Sequence, residues 1–169
     1  METLKAIFTR RSIRKYSGGT VTDEQLEVLL RAAMHAPSAR NKQPWHFVVI
    51  TDKDILYKLG GTHPYGKMLM DAGAAIVTCG DKTIEEMDSY LLQNCSAATQ
   101  NMLLAAHDLG LGAVWLGLHP REDRLAAVKE ILNLPDHILP VSMISIGAPD
   151  EARENPDRYL VDRIHINQW

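Results

Sequence analysis

The longest helical pattern of the sequence carries no charge along most of its length. Apolar residues recur every three or four positions from Ile84 to Leu109, which is the period of an α-helix. Asp, Glu, Lys and Arg are absent from Leu91 to Ala106, and a helix with so little polar surface is wrapped by other structure on most sides. The pattern therefore predicts a central helix, which lies either at a subunit interface or inside the chain. Gly110 and Gly112 predict its end.

Shorter helical and strand patterns surround this segment. Four apolar runs predict buried strands at 47–50, 74–79, 113–116 and 141–146. Helices are predicted at 3–9, 22–36, 52–59 and 121–132, the second of them from a capping box in which Thr22 precedes Gln25 by three residues. Strands that alternate with helices indicate an α/β domain layered around a largely buried sheet. A length of 169 residues suits one such domain, and we predict a single domain over residues 1–169.

The C-terminal tail, from Glu151 onward, has no core pattern of its own. It nevertheless ends in Ile164, Ile166 and Trp169. Apolar anchors on a segment that cannot form a core by itself predict that the tail docks on other structure, such as a second subunit.

Composition and charge exclude several classes of protein. Hydrophobic residues make up 46% and charged residues 23% of the chain, as in a folded globular domain and unlike a disordered one. With 18 Lys and Arg against 21 Asp and Glu, the net charge is −3, which argues against nucleic-acid binding. No apolar run is long enough to predict a membrane span. Two cysteines without CxxC spacing, and an N-terminus without a secretory signal pattern, favour the cytoplasm.

The first candidate site is a cluster of positive charge in the segment Arg10–Tyr16. If this segment is extended, Arg10, Ser12 and Arg14 project to the same side, because side chains alternate along extended chain. Two guanidinium groups that flank a hydroxyl suit a phosphate monoester. The alternative, which these residues alone leave open, is a solvated basic surface.

The second candidate site is the polar loop, defined as residues 37–45. Pro37 and Pro44 fix its ends, and between them Ser38, Asn41 and Gln43 carry short polar groups that hydrogen-bond the edges of a ring or a sugar alcohol. Taken alone, the loop favours an ordinary polar turn before a core tryptophan, and only the first candidate site makes the binding interpretation preferable.

A glycine-containing stretch, Gly110–Gly117, is the third candidate. It is not a dinucleotide fingerprint, because Trp115 stands where the third glycine of GxGxxG belongs and the stretch follows a helix. Gly117 at a strand end allows a planar ligand to approach the backbone closely.

Other catalytic classes lack a sequence signal. The seven histidines show no metal-binding spacing, and no GxSxG elbow is present. We therefore predict no metal site and no catalytic side chain. A protein that holds a phosphorylated, flat ligand and supplies no nucleophile usually obtains its chemistry from a cofactor.

Four motifs in order resemble the FMN-dependent nitroreductase family in its short form. Arg10–Tyr16 resembles the RRSxRxY opening of that family, and residues 37–45 resemble its PSxxNxQPW loop. Residues 110–117 are similar to its GLGxxWxG strand, and the stretch from Arg158 to His165 is similar to its closing segment. Each motif is weak alone, but the four together cover essentially the whole chain.

The resemblance implies a fold, a cofactor and a reaction. The expected fold is a three-layer α+β domain with a mixed central sheet flanked by helices, and a C-terminal extension exchanged in a homodimer with FMN at the subunit interface. NADH or NADPH would reduce FMN at N5, and a nitroaromatic, a quinone or a similar acceptor would then take the electrons in a ping-pong reaction. The alternatives are a non-catalytic flavin-binding module and a divergent family activity, such as dehalogenation or flavin fragmentation.

The resemblance also assigns cofactor-binding residues. Arg10, Ser12 and Arg14 would hold the phosphate and ribityl chain, with Arg158 as a further cation from the tail. The polar loop would reach the flavin from the partner chain or line its ring, and the backbone of Leu116 and Gly117 would lie near its reactive edge. The complete expected set is Arg10, Arg11, Ser12, Arg14, Pro37, Ser38, Asn41, Gln43, Leu116, Gly117 and Arg158.

Overall fold

The computed structural model describes residues 2–169. In chain order its helices and strands are α1 (Thr3–Thr9), α2 (Asp23–Met34), β1 (Trp45–Ile50), α3 (Lys53–Gly61), β2 (Ala74–Asp81), α4 (Asp88–Asp108), β3 (Gly112–Gly117), α5 (Glu122–Leu132) and β4 (Ile138–Gly147). Short 3-10 turns lie at Ala39–Asn41, Lys67–Met70 and Val161–Arg163. The predicted succession of helices and strands is confirmed, and most boundaries differ by only a few residues.

The sheet has four strands in the order β1-β2-β4-β3. Every neighbouring pair runs antiparallel, with Val48 opposite Val77 and Leu116 opposite Met143. The two inner strands, β2 and β4, are buried along their whole length. The α+β class is therefore confirmed. The expected mixed sheet is present only to a small extent: among residues 2–169, the one parallel pairing is an isolated bridge between Ser12 and Ala113. Helix α3 and the 3-10 turn against which it packs connect β1 to β2, and β2 begins at the end of the sheet where β1 stops, with Ala75 opposite Ile50.

Helix α2 begins where its capping box predicts. The backbone N–H of Gln25 donates to Thr22 Oγ1 (3.2 Å), and the N–H of Thr22 donates to Gln25 Oε1 (3.0 Å). Both contacts satisfy N–H groups that a helix start leaves unpaired. The helix ends at Met34, two residues before the position that Pro37 had predicted.

Helix α4 begins four residues later than predicted, at Asp88. The preceding residues are held in a turn on Asp81, whose Oδ1 accepts from the N–H of Thr83 (2.7 Å) and whose carbonyl accepts from the N–H of Glu85 (3.0 Å). Once formed, α4 packs against α2 and all four strands. Eight of its residues are buried inside the chain: Leu91, Asn94, Cys95, Ala98, Thr99, Met102, Leu103 and Ala106. Of the two predicted environments, burial within the chain is correct for this face.

The tail adds no layer to the domain. From residue 152 onward every residue is exposed, and the sole helical turn described there is Val161–Arg163. Ile166 is 81% exposed and Trp169 fully exposed. Of residues 2–169, none belongs to a helix long and apolar enough to cross a membrane.

Candidate functional site: a cation cleft and a polar loop

The basic segment after α1 lies against the edge of the sheet as a short extended strand. The N–H of Ile13 donates to the carbonyl of Ala113 in β3 (3.0 Å), and Tyr16 forms an antiparallel bridge with Pro149. Gly112 makes this approach sterically feasible, because a Cβ there would lie 2.7 Å from Ile13 Cγ2. The predicted extended conformation is thus present, and the glycine of the third motif has a packing role in it.

A cleft of about 650 Å³ opens beside this segment. We call it the cation cleft; its lining residues are Arg10, Arg11, Ser12, Arg14, Ala152, Arg153, Glu154, Pro156 and Arg158. The structure therefore brings five of the expected cofactor-binding residues together, four from the N-terminal segment and one from the tail. Arg153 was missed from the sequence. Its signal was the recurrence of arginine in the tail, at 153 and 158, within a chain of negative net charge.

The guanidinium groups of the cation cleft repel one another. Burial, and then Arg11 and Arg158, lower the pKa of Arg10. The ion pair in the cleft joins Arg153 to Glu151 (2.7 Å), which leaves Arg10, Arg14 and Arg158 without a carboxylate partner among residues 2–169. Such a concentration of unpaired positive charge favours a bound anion.

Arg11 differs from its neighbours, because its side chain is engaged with the backbone. Its Nε donates to the carbonyl of Glu154 (2.8 Å), and its Nη1 donates to the carbonyls of Phe8 (3.0 Å) and Arg10 (2.7 Å). These bonds tie the end of α1 to the tail. Arg11 thus lines the cleft but mainly holds its two walls together.

Glu151 makes a second link between the same walls. Its Oε1 accepts from the backbone N–H of Arg14 (2.6 Å), and its Oε2 lies 2.7 Å from Arg153 Nη2. The Arg14 N–H and the charge of Arg153 hold the pKa of Glu151 below its ordinary value. The carboxylate therefore stays charged at neutral pH and fixes the position of Arg14.

The polar loop is held rigidly from beneath. The N–H of Gln43 donates to Ser38 Oγ (3.0 Å), and the N–H of Ala39 donates to Asn94 Oδ1 (3.0 Å) on α4. Gln43 Nε2 also donates to Asn41 Oδ1 (3.1 Å). Pro37, Asn41 and Gln43 are exposed, so the loop presents an ordered polar surface to the outside.

The backbone of the polar loop is strained. Arg40, Asn41 and Gln43 have φ angles of 56°, 55° and 49°, in the left-handed region, which costs most non-glycine residues roughly 1–2 kcal/mol and asparagine less. Three such residues in one loop persist only where their surroundings enforce them, and they cluster at functional sites.

Glu85 anchors the loop by its charge. This carboxylate, whose side chain is 2% exposed, lies 3.3 Å from Arg40 and 3.1 Å from Lys42. Burial raises its pKa, but the Met87 N–H and the two cations outweigh burial and leave the pKa below the ordinary value. Glu85 is therefore ionised and holds both basic side chains of the loop.

The end of β3 offers open space beside its backbone. No atom lies within 4 Å of the position of a Cβ on Gly117, and its φ is outside the left-handed region. Neither packing within the chain nor backbone strain therefore requires a glycine here, which fits a flat ligand lying against the strand. Leu116, the residue before it, is 3% exposed, so its side chain is not available to such a ligand. Gly117 lies four residues beyond Ala113, or about 13 Å along the strand from the cation cleft.

The polar loop and the cation cleft occupy different ends of α4. Asn94 contacts the loop, whereas His107 contacts Thr9 at the end of α1 (2.8 Å). The two contact positions are thirteen residues apart on the helix, which is about 20 Å along the axis. The residues that line the cation cleft include none from the loop. One chain therefore does not bring the two halves of the expected site together.

Metal chemistry has no candidate centre in the described part of the chain. Among residues 2–169, no three His, Cys, Asp or Glu side chains are grouped so that they could hold a metal ion.

Comparison with known proteins identifies the family. The model of the Nitroreductase family matches residues 7–62 and 61–148. The chain belongs to this family. A chain of Archaeoglobus fulgidus named "Putative NADH dehydrogenase/NAD(P)H nitroreductase" is 48% identical over 172 residues, which cover 99% of each protein.

Solved structures of this family share the fold. An FMN-dependent nitroreductase of Clostridium difficile R20291 matches with a TM-score of 0.91 and 31% identity, over 99% of this chain and 100% of that chain. A protein of Desulfovibrio desulfuricans solved in complex with FMN matches with a TM-score of 0.85 and 32% identity, over 100% of this chain and 99% of that chain. The nitroreductase fold predicted from four sequence motifs is confirmed.

Proposed function

We propose that this nitroreductase-family chain is an FMN-dependent oxidoreductase that uses NADH or NADPH as electron donor. The observation that carries the proposal is the position of the cation cleft, which lies about 13 Å along β3 from the open space at Gly117. FMN would supply the redox chemistry, accepting a hydride at N5 and passing the electrons to a small acceptor such as a nitroaromatic or a quinone. The named relatives, which include an FMN-dependent nitroreductase, support this assignment.

The residues of the chain would bind and orient the cofactor. Arg10, Ser12, Arg14 and Arg158 would hold the phosphate, since three of them are cations without a carboxylate partner in residues 2–169. The backbone of Leu116 and Gly117 would face the ring. No side chain of this set is a nucleophile, so the proposed role of the protein is to grip and position the cofactor.

Phosphate contacts alone would not retain FMN. A hydrogen bond to a charged group contributes roughly 1.5–3 kcal/mol, whereas micromolar binding requires about 8 kcal/mol after association costs of about 4–15 kcal/mol. The ring must therefore also be buried. The open space at Gly117 is on an edge strand of one chain, and a second chain would provide the missing cover.

We propose that the active form is a homodimer with FMN between the subunits. The polar loop of one chain would then cover the ring held by the cation cleft of the other, which explains why the two halves are about 20 Å apart within one chain. Exposed apolar side chains on α1 and the tail support a partner surface: Leu4 (64%), Phe8 (66%), Ile166 (81%) and Trp169 (101%). The tail would exchange between the subunits. We further propose that residues 1–169 form one flavin-binding domain and that it works in the cytoplasm, where its two free, buried cysteines stay reduced.

The cofactor and the reaction are tested by reconstitution. The protein stripped of ligand is mixed with FMN, and binding is followed by quenching of flavin fluorescence. We expect one FMN per chain and anaerobic bleaching of the bound flavin with NADH or NADPH. Steady-state oxidation of the donor with a nitroaromatic or a quinone distinguishes an enzyme from a non-catalytic flavin-binding module. A protein that stays colourless after reconstitution would contradict the proposal.

The divided site is tested by mixing two defective chains. One chain carries Arg14→Ala in the cleft, and the other carries Asn41→Ala with Gln43→Ala in the loop; each has its own purification tag. If each site combines a cleft and a loop from different chains, the heterodimer contains one intact site and binds one FMN tightly. If each site came from one chain, the heterodimer would contain no intact site and would bind FMN no better than either homodimer.

A further inference from the structure

The carbonyl of Gly117 receives a charged hydrogen bond from outside the sheet. Arg124, the third residue of α5, donates from Nη1 to Gly117 O (2.8 Å). We propose that Arg124 is a positioning residue, which fixes the end of β3 where the flavin ring is expected to lie. This inference rests on the proposed function, because Gly117 is assigned to the ring there.

The bond from Arg124 is shorter than the backbone bonds of the two residues that follow Gly117. Immediately beyond Gly117, the N–H groups of Leu118 and His119 both donate to the carbonyl of Val141, at 3.3 and 3.2 Å. A hydrogen bond from a charged donor is shorter and stronger than these neutral ones. Since glycine has a wide choice of backbone angles and lies here at the last ladder position of β3, the proposal is that the Arg124 contact limits the orientation of the Gly117 peptide.

His63 holds Arg124 from the other side. Its Nε2 lies 2.9 Å from Arg124 Nη1, and its Nδ1 accepts from the backbone N–H of Tyr65 (3.1 Å). A neutral imidazole has one nitrogen free to accept, so His63 can accept from Tyr65 or from Arg124 but not from both. Burial and then Arg124 lower the pKa of His63, and they outweigh a hydrogen bond to the Gly117 backbone that raises it. The net lowering favours the neutral ring, and His63 itself also lies against the Gly117 carbonyl.

Gly117 is therefore the dependable acceptor for Arg124. The carbonyl can accept in either tautomer of His63, whereas the imidazole can accept in one of them only. The Nε of Arg124 is buried and has no partner among residues 2–169. Burying an unpaired N–H costs stability, and a guanidinium held despite that cost is consistent with a positioning role. The His63 ring limits where the guanidinium can move, and the guanidinium in turn limits where the Gly117 carbonyl can move.

A fixed backbone matters at a redox cofactor, because hydrogen-bond donors aimed at developing charge act without reorganisation. A displacement of about 1 Å caused by a residue outside the reacting groups is enough to slow a reaction severely. Arg124 would thus influence the reaction without touching FMN, through the peptide groups on either side of Gly117.

The experiment compares Arg124→Met, Arg124→Lys and the control Arg121→Met. Arg121 is an exposed arginine at the start of the same helix, and its side chain makes no cap bond. The readouts are hydrogen exchange of the amides at 116–119 in the ligand-free protein, the dissociation constant of FMN and the absorbance spectrum of bound FMN. For Arg124→Met we expect exchange and dissociation constant to rise about tenfold, the effect of losing one hydrogen bond of about 1.4 kcal/mol, with a shifted flavin spectrum. Arg124→Lys should recover part of each change, and Arg121→Met should match the wild type.

Wild-type exchange at 116–119 and a wild-type spectrum in Arg124→Met would overturn the inference. So would a lower melting temperature with unchanged local exchange and spectrum, because Arg124 would then be merely structural. If Arg124→Met does not fold, the same readouts on Arg124→Lys decide, since its single ammonium cannot copy the guanidinium fork. Bleaching of wild-type FMN by NADH or NADPH tests the proposed function separately from all three variants.

Discussion

The cation cleft and the polar loop are both held in arrangements that cost free energy, but the source of the cost differs. The cleft gathers like charges, so its cost is electrostatic, and burial together with Arg11 and Arg158 lowers the pKa of Arg10. The loop gathers left-handed backbone angles at Arg40, Asn41 and Gln43, so its cost is conformational. In both regions a carboxylate anchors the arrangement: Glu151 in the cleft and Glu85 beneath the loop.

This difference indicates how each region should respond to a bound ligand. An anion relieves repulsion between cations, so a ligand phosphate should stabilise the cleft directly. Strained backbone is not relieved by an anion, and the loop is held instead by hydrogen bonds and ion pairs within the chain. We infer that the cleft supplies binding energy and the loop supplies shape, which matches the proposed division between phosphate and ring.

The largest effect is expected in the cleft, from Arg14→Ala. Loss of one charged contact of roughly 1.5–3 kcal/mol raises the FMN dissociation constant about tenfold to a hundredfold. The fold should stay intact, because the structural contact of Arg14 uses its backbone N–H, which donates to Glu151 and survives the change. Fluorescence titration of the ligand-free protein measures the constant, and circular dichroism checks the fold.

Lys15→Ala is the matched control for this prediction. Lys15 is the neighbouring cation, is exposed and does not line the cleft. It tests whether charge alone suffices: a similar loss of affinity in both variants would mean that the general field of the segment, and not the cleft geometry, holds the phosphate. Unchanged FMN content of Arg14→Ala after dialysis would contradict the phosphate assignment.

Local patterns predicted the local structure correctly. The capping box at Thr22 gave the start of α2, and alternation of side chains placed Arg10, Ser12 and Arg14 in one cleft. Pairing between distant strands is not a local property, so the sequence did not reveal that β1 to β4 are all antiparallel. The late start of α4 was missed for the same reason, because the turn on Asp81 follows a strand whose register depends on its neighbours.

Missed site residues share a physical cause as well. Arg153 reaches the cleft through Glu151, and His63 reaches Arg124 from a loop 61 residues away in the sequence. One signal was available for Arg124, which is a cation in the first turn of α5, where the helix dipole disfavours positive charge. A residue type that the local structure disfavours indicates that a contact distant in the sequence determines which amino acid occurs at that position.

An intermediate effect is expected in the loop, from Gln43→Gly. Glycine removes a left-handed cost of roughly 1–2 kcal/mol but adds about 0.4–1 kcal/mol of unfolded-chain entropy. The free energy of unfolding should therefore rise by between about 0 and 1.6 kcal/mol, while FMN binding weakens because the amide side chain is lost. Urea denaturation and FMN titration measure the two quantities.

Asn133→Gly is the control for the strain argument. Asn133 has a φ of 50° at the end of α5, outside the expected site. It should gain less stability than Gln43→Gly, because asparagine tolerates the left-handed region better, and it should leave FMN binding unchanged. A Gln43→Gly variant that is less stable than the wild type would show that the loop is not strained in the proposed way.

The smallest expected effect is a difference in the pH at which each region loses stability. Next to the cleft, at the end of α4, burial and then Arg10 lower the pKa of His107. Its Nε2 donates to the Thr9 hydroxyl, because that hydroxyl already donates to the Lys5 carbonyl. In the loop, Glu85 has a lowered carboxyl pKa. As pH falls below the ordinary histidine pKa of about 6.5, the unfolded chain takes up a proton that folded His107 resists, so stability declines.

The loop should respond only at lower pH. Glu85 contributes stability above the ordinary glutamate pKa of about 4.3, and this contribution is lost as pH falls through its lower folded pKa. Unfolding free energies measured by urea at several pH values should therefore decline in two stages, and His107→Gln should reduce the first without altering the second. FMN should also diminish the first stage, since a phosphate beside Arg10 offsets the positive field at His107. An equal decline in His107→Gln and wild type near pH 6 would show that the positive charge of the cleft does not lower stability through His107. The assignment of the cleft as an anion site would then be supported by its geometry alone.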